Sequence, residues 1–186
     1  MHMEERIRTL GILHAHHFSA QLDTVRLRTG RLTERIKIDH PEAAAVVPFL
    51  DFERILMVRQ WRYAIGSETL EIPAGKVDPD EAVEVCAHRE LQEETGYRAK
   101  RLFPLFSYYP AIGYSNEVIR IYAAAGLTRV EARRDEDEIS RVEVLELEEV
   151  YDLIAQGRIR DGKTVIGLSL FKEHRNRGTL PADFFA

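Results

Sequence analysis

The sequence predicts an α+β fold, a compact α/β sandwich and not a doubly wound parallel sheet, with a β-rich arm ahead of it. Three observations carry this expectation. Strand-like and helix-like segments interleave without a regular strand–helix–strand spacing. The chain has 186 residues, enough for one domain with a real core and an additional arm. Apolar residues make up 45% and charged residues 31%, an ordinary globular mixture. The expected division is residues 1–40 as the arm and residues 41–186 as the main domain.

The elements follow in order. TVRLRTGRLTERIKI (24–38) holds two β-rich runs around Thr29-Gly30, which reads as a hairpin. AAAVVPFL (43–50) is apolar throughout and reads as a buried strand. Asp51-Phe52-Glu53 turns the chain into a second strand, RILMVRQWRY (54–63), and TLEI (69–72) is a short third. Asp78, Pro79 and Glu81 stand where a capping box and a first-turn proline belong, so a helix is predicted over 79–95. Gly96 closes it. Further strands are predicted at 102–109, 117–125 and 141–147, and helices at 147–156 and 162–175. Gly157 is a natural stop for the first of these two.

Composition narrows the function classes. The formal charge is −5, with no sign of a nucleic-acid partner. No apolar run approaches the roughly 18 residues of a membrane span, so no membrane partner is expected. The N-terminus MHMEERIRTL lacks the layout of a signal peptide. The single Cys86 allows no internal disulfide and fits a cytoplasmic setting; its apolar neighbours give it a packing role. His14, His16 and His17 form an H-x-H-H cluster, but no zinc pattern completes it.

The helix at 79–95 carries an anomaly in RELQEETG (89–96). Glu90, Glu93 and Glu94 crowd one turn, and like charges four residues apart cost helix stability. At about 100° per residue, all three fall among Ala82, Val83, Cys86, Ala87 and Leu91. Glu84, His88, Gln92 and Thr95 fall on the opposite, solvent side. Carboxylates on the core-facing side demand partners. Arg89 supplies one, at the i,i+4 spacing for Glu93. A hard divalent cation such as Mg²⁺, which prefers oxygen ligands, would satisfy the rest. The preceding loop, Glu71-Ile72-Pro73-Ala74-Gly75-Lys76, has a glycine that permits a tight turn or a close approach. It would leave the Ala74 carbonyl as a further oxygen ligand.

Gly75, Glu81 and the run from Arg89 to Tyr97 together resemble the Nudix box. Gly75, Glu81, Arg89, Glu90, Glu93, Glu94 and Gly96 match it at the right spacing. A chance match in a chain of this length is on the order of one in a million. The last position, usually Ile, Leu or Val, is Tyr97 here. The resemblance implies an α/β/α sandwich of the Nudix type and a hydrolase of nucleoside diphosphates linked to another group. By position, it implies Glu90 and Glu94 as the main metal ligands, Glu93 as the acid assisting them, and the Ala74 carbonyl as a metal ligand. Gly75, Glu81, Arg89 and Gly96 become structural members of the motif. The implied cofactor is Mg²⁺ or Mn²⁺.

The remaining site residues also come from the resemblance. RRDEDEISRV (133–142) carries Glu136 and Glu138 in the E-x-E context of the catalytic loop in ADP-ribose pyrophosphatases, with the choice between them open. Gln60-Trp61-Arg62 resembles a strand end in hydrolases of ADP-ribose and nucleotide sugars, which makes Arg62 the phosphate ligand, with Arg59 as second candidate. Ser115-Asn116-Glu117 matches the S-x-E of those enzymes, and Glu117 becomes a sugar or metal contact. Ile112 stands where ADP-ribose members often have proline, and GYSNE also resembles enzymes cleaving GDP-mannose.

The expected activity is therefore metal-dependent hydrolysis of the pyrophosphate bond in ADP-ribose or a nucleoside diphosphate sugar. The products would be a nucleoside monophosphate and a sugar phosphate. The resemblance also implies a homodimer formed through exchange of the N-terminal arm, with an arm that packs on its own domain as the alternative. Two other readings stay open: a Nudix hydrolase for dinucleotides or nucleoside triphosphates, and a nucleotide-sugar-binding module without catalysis. The presence of all the box acids favours an enzyme.

Overall fold

The computed structural model describes residues 3–130 and 139–186. The chain divides into two compact units, Met1–Glu42 with Tyr108–Val118 and Ala43–Ser107 with Ile119–Ala186. The first holds an antiparallel sheet of β1 (Glu4–His14), β2 (Ser19–Leu27) and β3 (Leu32–Asp39) in that order. The expected hairpin is there. Gly30 has φ 86° and its N–H donates to the Leu27 carbonyl at 2.9 Å, a backbone that favours glycine.

The strand β1 was not expected. Two irregularities, between Arg6 and Arg8 and between Thr9 and Gly11, interrupt the alternation by which a strand is recognised. The hairpin strand β2 also begins earlier than expected, at Ser19. His16 and His17 lie in the β1–β2 turn with rings stacked at 4.3 Å. Residues 109–118 are tied to β3: the Ile38 N–H donates to the Tyr114 carbonyl at 2.7 Å, and Asn116 Nδ2 to Asp39 Oδ1 at 2.7 Å. These ties keep Glu117 and Val118 out of the strand predicted to begin at 117.

The rest of the chain forms β4 (Ala43–Pro48), β5 (Arg54–Arg62), β6 (Ser67–Glu71), β7 (Ala74–Lys76), helix α1 (Val83–Thr95), β8 (Tyr97–Arg98), β9 (Arg101–Tyr108), β10 (Ile119–Ala125), β11 (Thr128–Arg129), β12 (Ile139–Glu146), and helices α2 (Leu147–Ala155) and α3 (Gly162–Arg177). One sheet runs β7-β4-β10-β9, with β10 parallel to β4; another runs β12-β5-β6. The fold is the expected α+β sandwich. Every residue of β4 is buried, because both faces are covered. Ala44 and Val46 pack with Cys86, Ala87 and Leu91 of α1. Val47 faces the other way, toward Gly167 of α3, where an added Cβ would stand 3.0 Å from Val47 and from Ile121. Cys86 is free and buried. Among the described residues no helix is long and apolar enough to cross a membrane.

Helix α1 begins at Val83 and not at Pro79. Asp80 has φ 65°, a left-handed backbone that cannot belong to a helix. The chain makes a turn there instead, the Glu81 N–H donating to the Asp78 carbonyl at 3.1 Å. Glu81 still reaches back, accepting from the Asp78 N–H at 3.1 Å, but it closes this turn and not a capping box. At the other end Gly96, φ 76°, caps the helix and donates to the Gln92 carbonyl at 2.9 Å.

Candidate active site

The loop between β6 and α1 folds against the acidic turn of the helix. A Cβ at Gly75 would stand 2.0 Å from the Glu90 carboxyl carbon, so only glycine lets that carboxylate lie on the backbone. The side chain of Glu90 is 13% exposed and that of Glu93 is 51% exposed. Glu94 is buried. The expectation that all three face the core is corrected for Glu93, which is at the surface. Thr95, assigned to the solvent side, is fully buried and donates its hydroxyl to the Leu91 carbonyl at 2.5 Å.

Arg89 organises this turn. It forks onto Glu81 through Nε and Nη2, both at 2.9 Å. Nη1 donates to Glu90 at 2.7 Å and to Glu93 at 3.1 Å, and Nη2 to the Lys76 carbonyl at 3.0 Å. Glu81, more than Glu93, is its main partner. The Arg89 hydrogen bonds draw the Glu81 carboxyl down to about 2, and the same bonds raise the guanidinium.

Glu94 lacks such a partner. Its Oε2 accepts the Ala74 N–H at 3.1 Å. Burial, reinforced by the charge of Glu90, pushes its carboxyl up to about 8. Burial also raises Glu90, against the pull of Arg89. Among the described residues no three carboxylate, imidazole or thiolate groups converge at metal-ligand spacing. Arg89 takes one oxygen of Glu90, and Glu94 points to the Ala74 amide. The donors nevertheless fit a hard divalent cation: oxygen ligands, two carboxyls that burial raises, and a glycine cradle beside them. A cation there would compete with Arg89 for Glu90.

A second charged cluster adjoins Glu94. Arg62 donates from Nε to Glu71 Oε1 at 2.8 Å and from Nη2 to Glu71 Oε2 at 2.5 Å. Thr69 Oγ1 donates to Glu71 at 2.5 Å, and Lys163 Nζ donates both to Glu71 and, at 3.0 Å, to Asp161. Burial alone would raise the Glu71 carboxyl, but these donors, Arg62 foremost, hold it at about 2. Arg62 and Lys163 also pull on Glu94. Asp161 caps α3, accepting the Thr164 N–H at 3.0 Å, and Thr164 Oγ1 accepts the Ile72 N–H at 2.9 Å.

Glu71, Asp161 and Lys163 are not among the site residues the sequence predicts. The signals for them in the chain are an acid inside the apolar run L-E-I and the helix-start pattern D-G-K-T at 161–164. Arg62, expected as the phosphate ligand, has two of its nitrogens bound to Glu71. Arg59 is held by Glu143 at 2.5 Å on the neighbouring strand β12. Glu117 lies in the first unit, where its carboxylate stands 3.6 Å from His40 Nδ1. Glu136 and Glu138 lie outside the described residues.

Known proteins resemble this chain at several levels. A model of the NUDIX domain matches residues 39–166. Over 167 residues the chain is 38% identical to the methanol dehydrogenase activator of Bacillus methanolicus, covering 89% of this chain and 90% of that protein. It is 36% identical over 149 residues to the ADP-ribose pyrophosphatase of Bacillus subtilis (strain 168), covering 79% and 80%. In fold it is similar to a crystal structure of an ADP compounds hydrolase, with TM-score 0.82 at 22% identity over 97% of this chain and 98% of that one.

Proposed function

The chain belongs to the NUDIX domain family, and from that premise we propose that it hydrolyses the pyrophosphate bond of ADP-ribose or of a nucleoside diphosphate sugar such as GDP-mannose. It is a Nudix pyrophosphohydrolase; what is proposed is the substrate, the metal and the role of each residue. Water adds to one phosphorus, the bridging P–O bond breaks, and a nucleoside monophosphate and a sugar phosphate leave. The observation that carries the reading is the buried Glu94 and the largely buried Glu90 brought together beside Gly75, with burial raising both carboxyls.

Glu90, Glu94 and the Ala74 carbonyl hold a divalent cation, Mg²⁺ or Mn²⁺, with Glu93 assisting from the exposed edge. When bound, such an ion neutralises phosphate oxygens, lowers the pKa of water and stabilises the leaving oxygen. Glu81 and Arg89 shape the turn and do not touch substrate. The planar donor fork of Arg62 binds the phosphates. Arg59 is a secondary substrate contact, already paired with Glu143. Glu117 binds a sugar hydroxyl, and Glu136 or Glu138 serves as general base. A homodimer formed through residues 1–40 and a cytoplasmic location complete the proposal; the buried free thiol of Cys86 suits a reducing compartment.

The test incubates the protein and Mg²⁺ with ADP-ribose, GDP-mannose, other nucleotide sugars, NADH and nucleoside triphosphates. A phosphatase specific for exposed phosphomonoesters then reports cleavage. Phosphate release from ADP-ribose or a nucleotide sugar is expected. Release from triphosphates or dinucleotides alone would move the substrate elsewhere, and no release with Mg²⁺ or Mn²⁺ would defeat the enzyme reading. Separate Glu136→Gln and Glu138→Gln variants identify the base, which should lose activity by about 10²-fold or more.

A further inference from the structure

We propose that Glu71 is a positioning residue: it fixes the Arg62 guanidinium in the orientation in which its remaining edge meets the pyrophosphate of the substrate. This rests on the phosphate-binding role given to Arg62 above. The Glu71 side chain is 3% exposed, at the end of β6, and receives four donors: two from Arg62, one from Thr69 and one from Lys163. An ionised carboxylate offers about four acceptor sites, so Glu71 is saturated.

The sheet ladder does not impose the Arg62 contact. Across the β5–β6 ladder Arg62 pairs with Ser67, and Glu71 pairs with Val58. Arg62 is the last residue of its strand and its side chain is 40% exposed. An arginine there would otherwise extend into water, and holding a long side chain in one geometry costs entropy. Nor is Arg62 needed to neutralise Glu71. The buried Lys163 ammonium already binds Glu71, and Thr69 adds a further donor. What the two-point contact adds is direction: Nε and Nη2 are occupied, and the plane of the guanidinium is set. Nη1 makes no hydrogen bond among the described residues and is the edge left for a ligand.

The experiment measures ADP binding by calorimetry in Mg²⁺, together with KM and kcat for whichever diphosphate the wild type cleaves. The variants are Arg62→Ala, Glu71→Gln, Glu71→Asp and each Glu71 change combined with Arg62→Ala. Glu71→Asp keeps the charge beside Lys163, so it carries the test should Glu71→Gln not fold. We expect either Glu71 change to raise the ADP Kd and the KM by about tenfold, with kcat within about threefold of wild type. In the Arg62→Ala background the same change should add less than about twofold, because Glu71 acts through Arg62. An ADP Kd and KM left unchanged by Arg62→Ala, or no ADP binding by the wild type, would defeat the phosphate-binding role itself. Weakening by Arg62→Ala with none from Glu71→Asp would overturn the positioning role alone, and so would independent, additive effects in the double variants.

Discussion

Arg89 and Glu90 are consecutive residues of one helix, yet Nη1 of the first donates to Oε1 of the second at 2.7 Å. Successive helix positions point about 100° apart and do not normally face each other. Here the guanidinium curls across the helix because Glu81 and the Lys76 carbonyl anchor its other nitrogens. It thereby occupies an oxygen of Glu90 that a cation would need. Arg89→Gln should lower metal-free stability by about 2 kcal/mol, or roughly 4–8 °C in Tm. The same variant should gain more Tm from added Mg²⁺ than the wild type does, since Glu90 is no longer shared. Thermal melts with and without Mg²⁺ check this. An equal gain in both proteins would show that Arg89 and the cation do not compete.

The Glu94 carboxyl sits at about 8 when folded, against an ordinary value of 4.5. Between those values the folded chain binds more protons at this position than the unfolded chain. Its contribution therefore makes metal-free stability decline as pH rises through that window, by up to about 1.4 kcal/mol per pH unit. Glu94→Gln removes the contribution, so its melts in chelator should depend less on pH than those of the wild type. Mg²⁺ needs the ionised form, so its affinity should climb across the same window. Parallel wild-type and variant pH curves in chelator would show that folding does not raise the Glu94 carboxyl.

The legibility of this site divides along a physical line. The burial of Glu94, the close approach of Gly75 to Glu90 and the Gly96 cap were readable because they follow from spacing along one helix and its loop. Glu93 was misplaced because the wheel treats a whole half of the helix as buried, whereas α1 packs through the narrower set Cys86, Ala87 and Leu91. The start of α1 was missed because Asp80 adopts a left-handed backbone that propensity gives no reason to expect. Lys163 and Glu71 meet across 92 residues of chain, and no local pattern encodes such a pair. The irregularities in β1 break the alternation by which a strand is recognised.

Gly75 is the position where a single methyl group should separate folding from function. It lies at the middle of β7, paired with Ala44, and its Cβ would collide with the carboxylate of Glu90 at 2.0 Å. Carboxylates at the ends of side chains can swing away, so the backbone can remain in place. Gly75→Ala should keep the circular dichroism spectrum and most of the Tm. It should lose about 10²-fold in turnover, the scale of a displacement near 1 Å at a reacting centre. Added Mg²⁺ should also stabilise it less than it stabilises the wild type. Near-normal turnover would mean that the Glu90 contact with this backbone is dispensable.

The arm offers the last test. Leu22 and Ile36 face each other across the β2–β3 ladder, 37% and 58% exposed, and Leu32 and Leu13 are exposed on the same face of the sheet. A single chain gains little from holding so much apolar surface in water. A second copy would cover it, since identical faces form a self-complementary interface about a twofold axis. Sedimentation should therefore give twice the chain mass for the wild type. Leu22→Glu with Ile36→Glu should shift it toward the monomer, because a closed interface would bury two unpaired charges. These residues lie outside the acidic turn of α1, so the Mg²⁺ response of the melt should survive in the variant. A wild type that sediments as a monomer at micromolar concentration would remove the arm from the account of assembly.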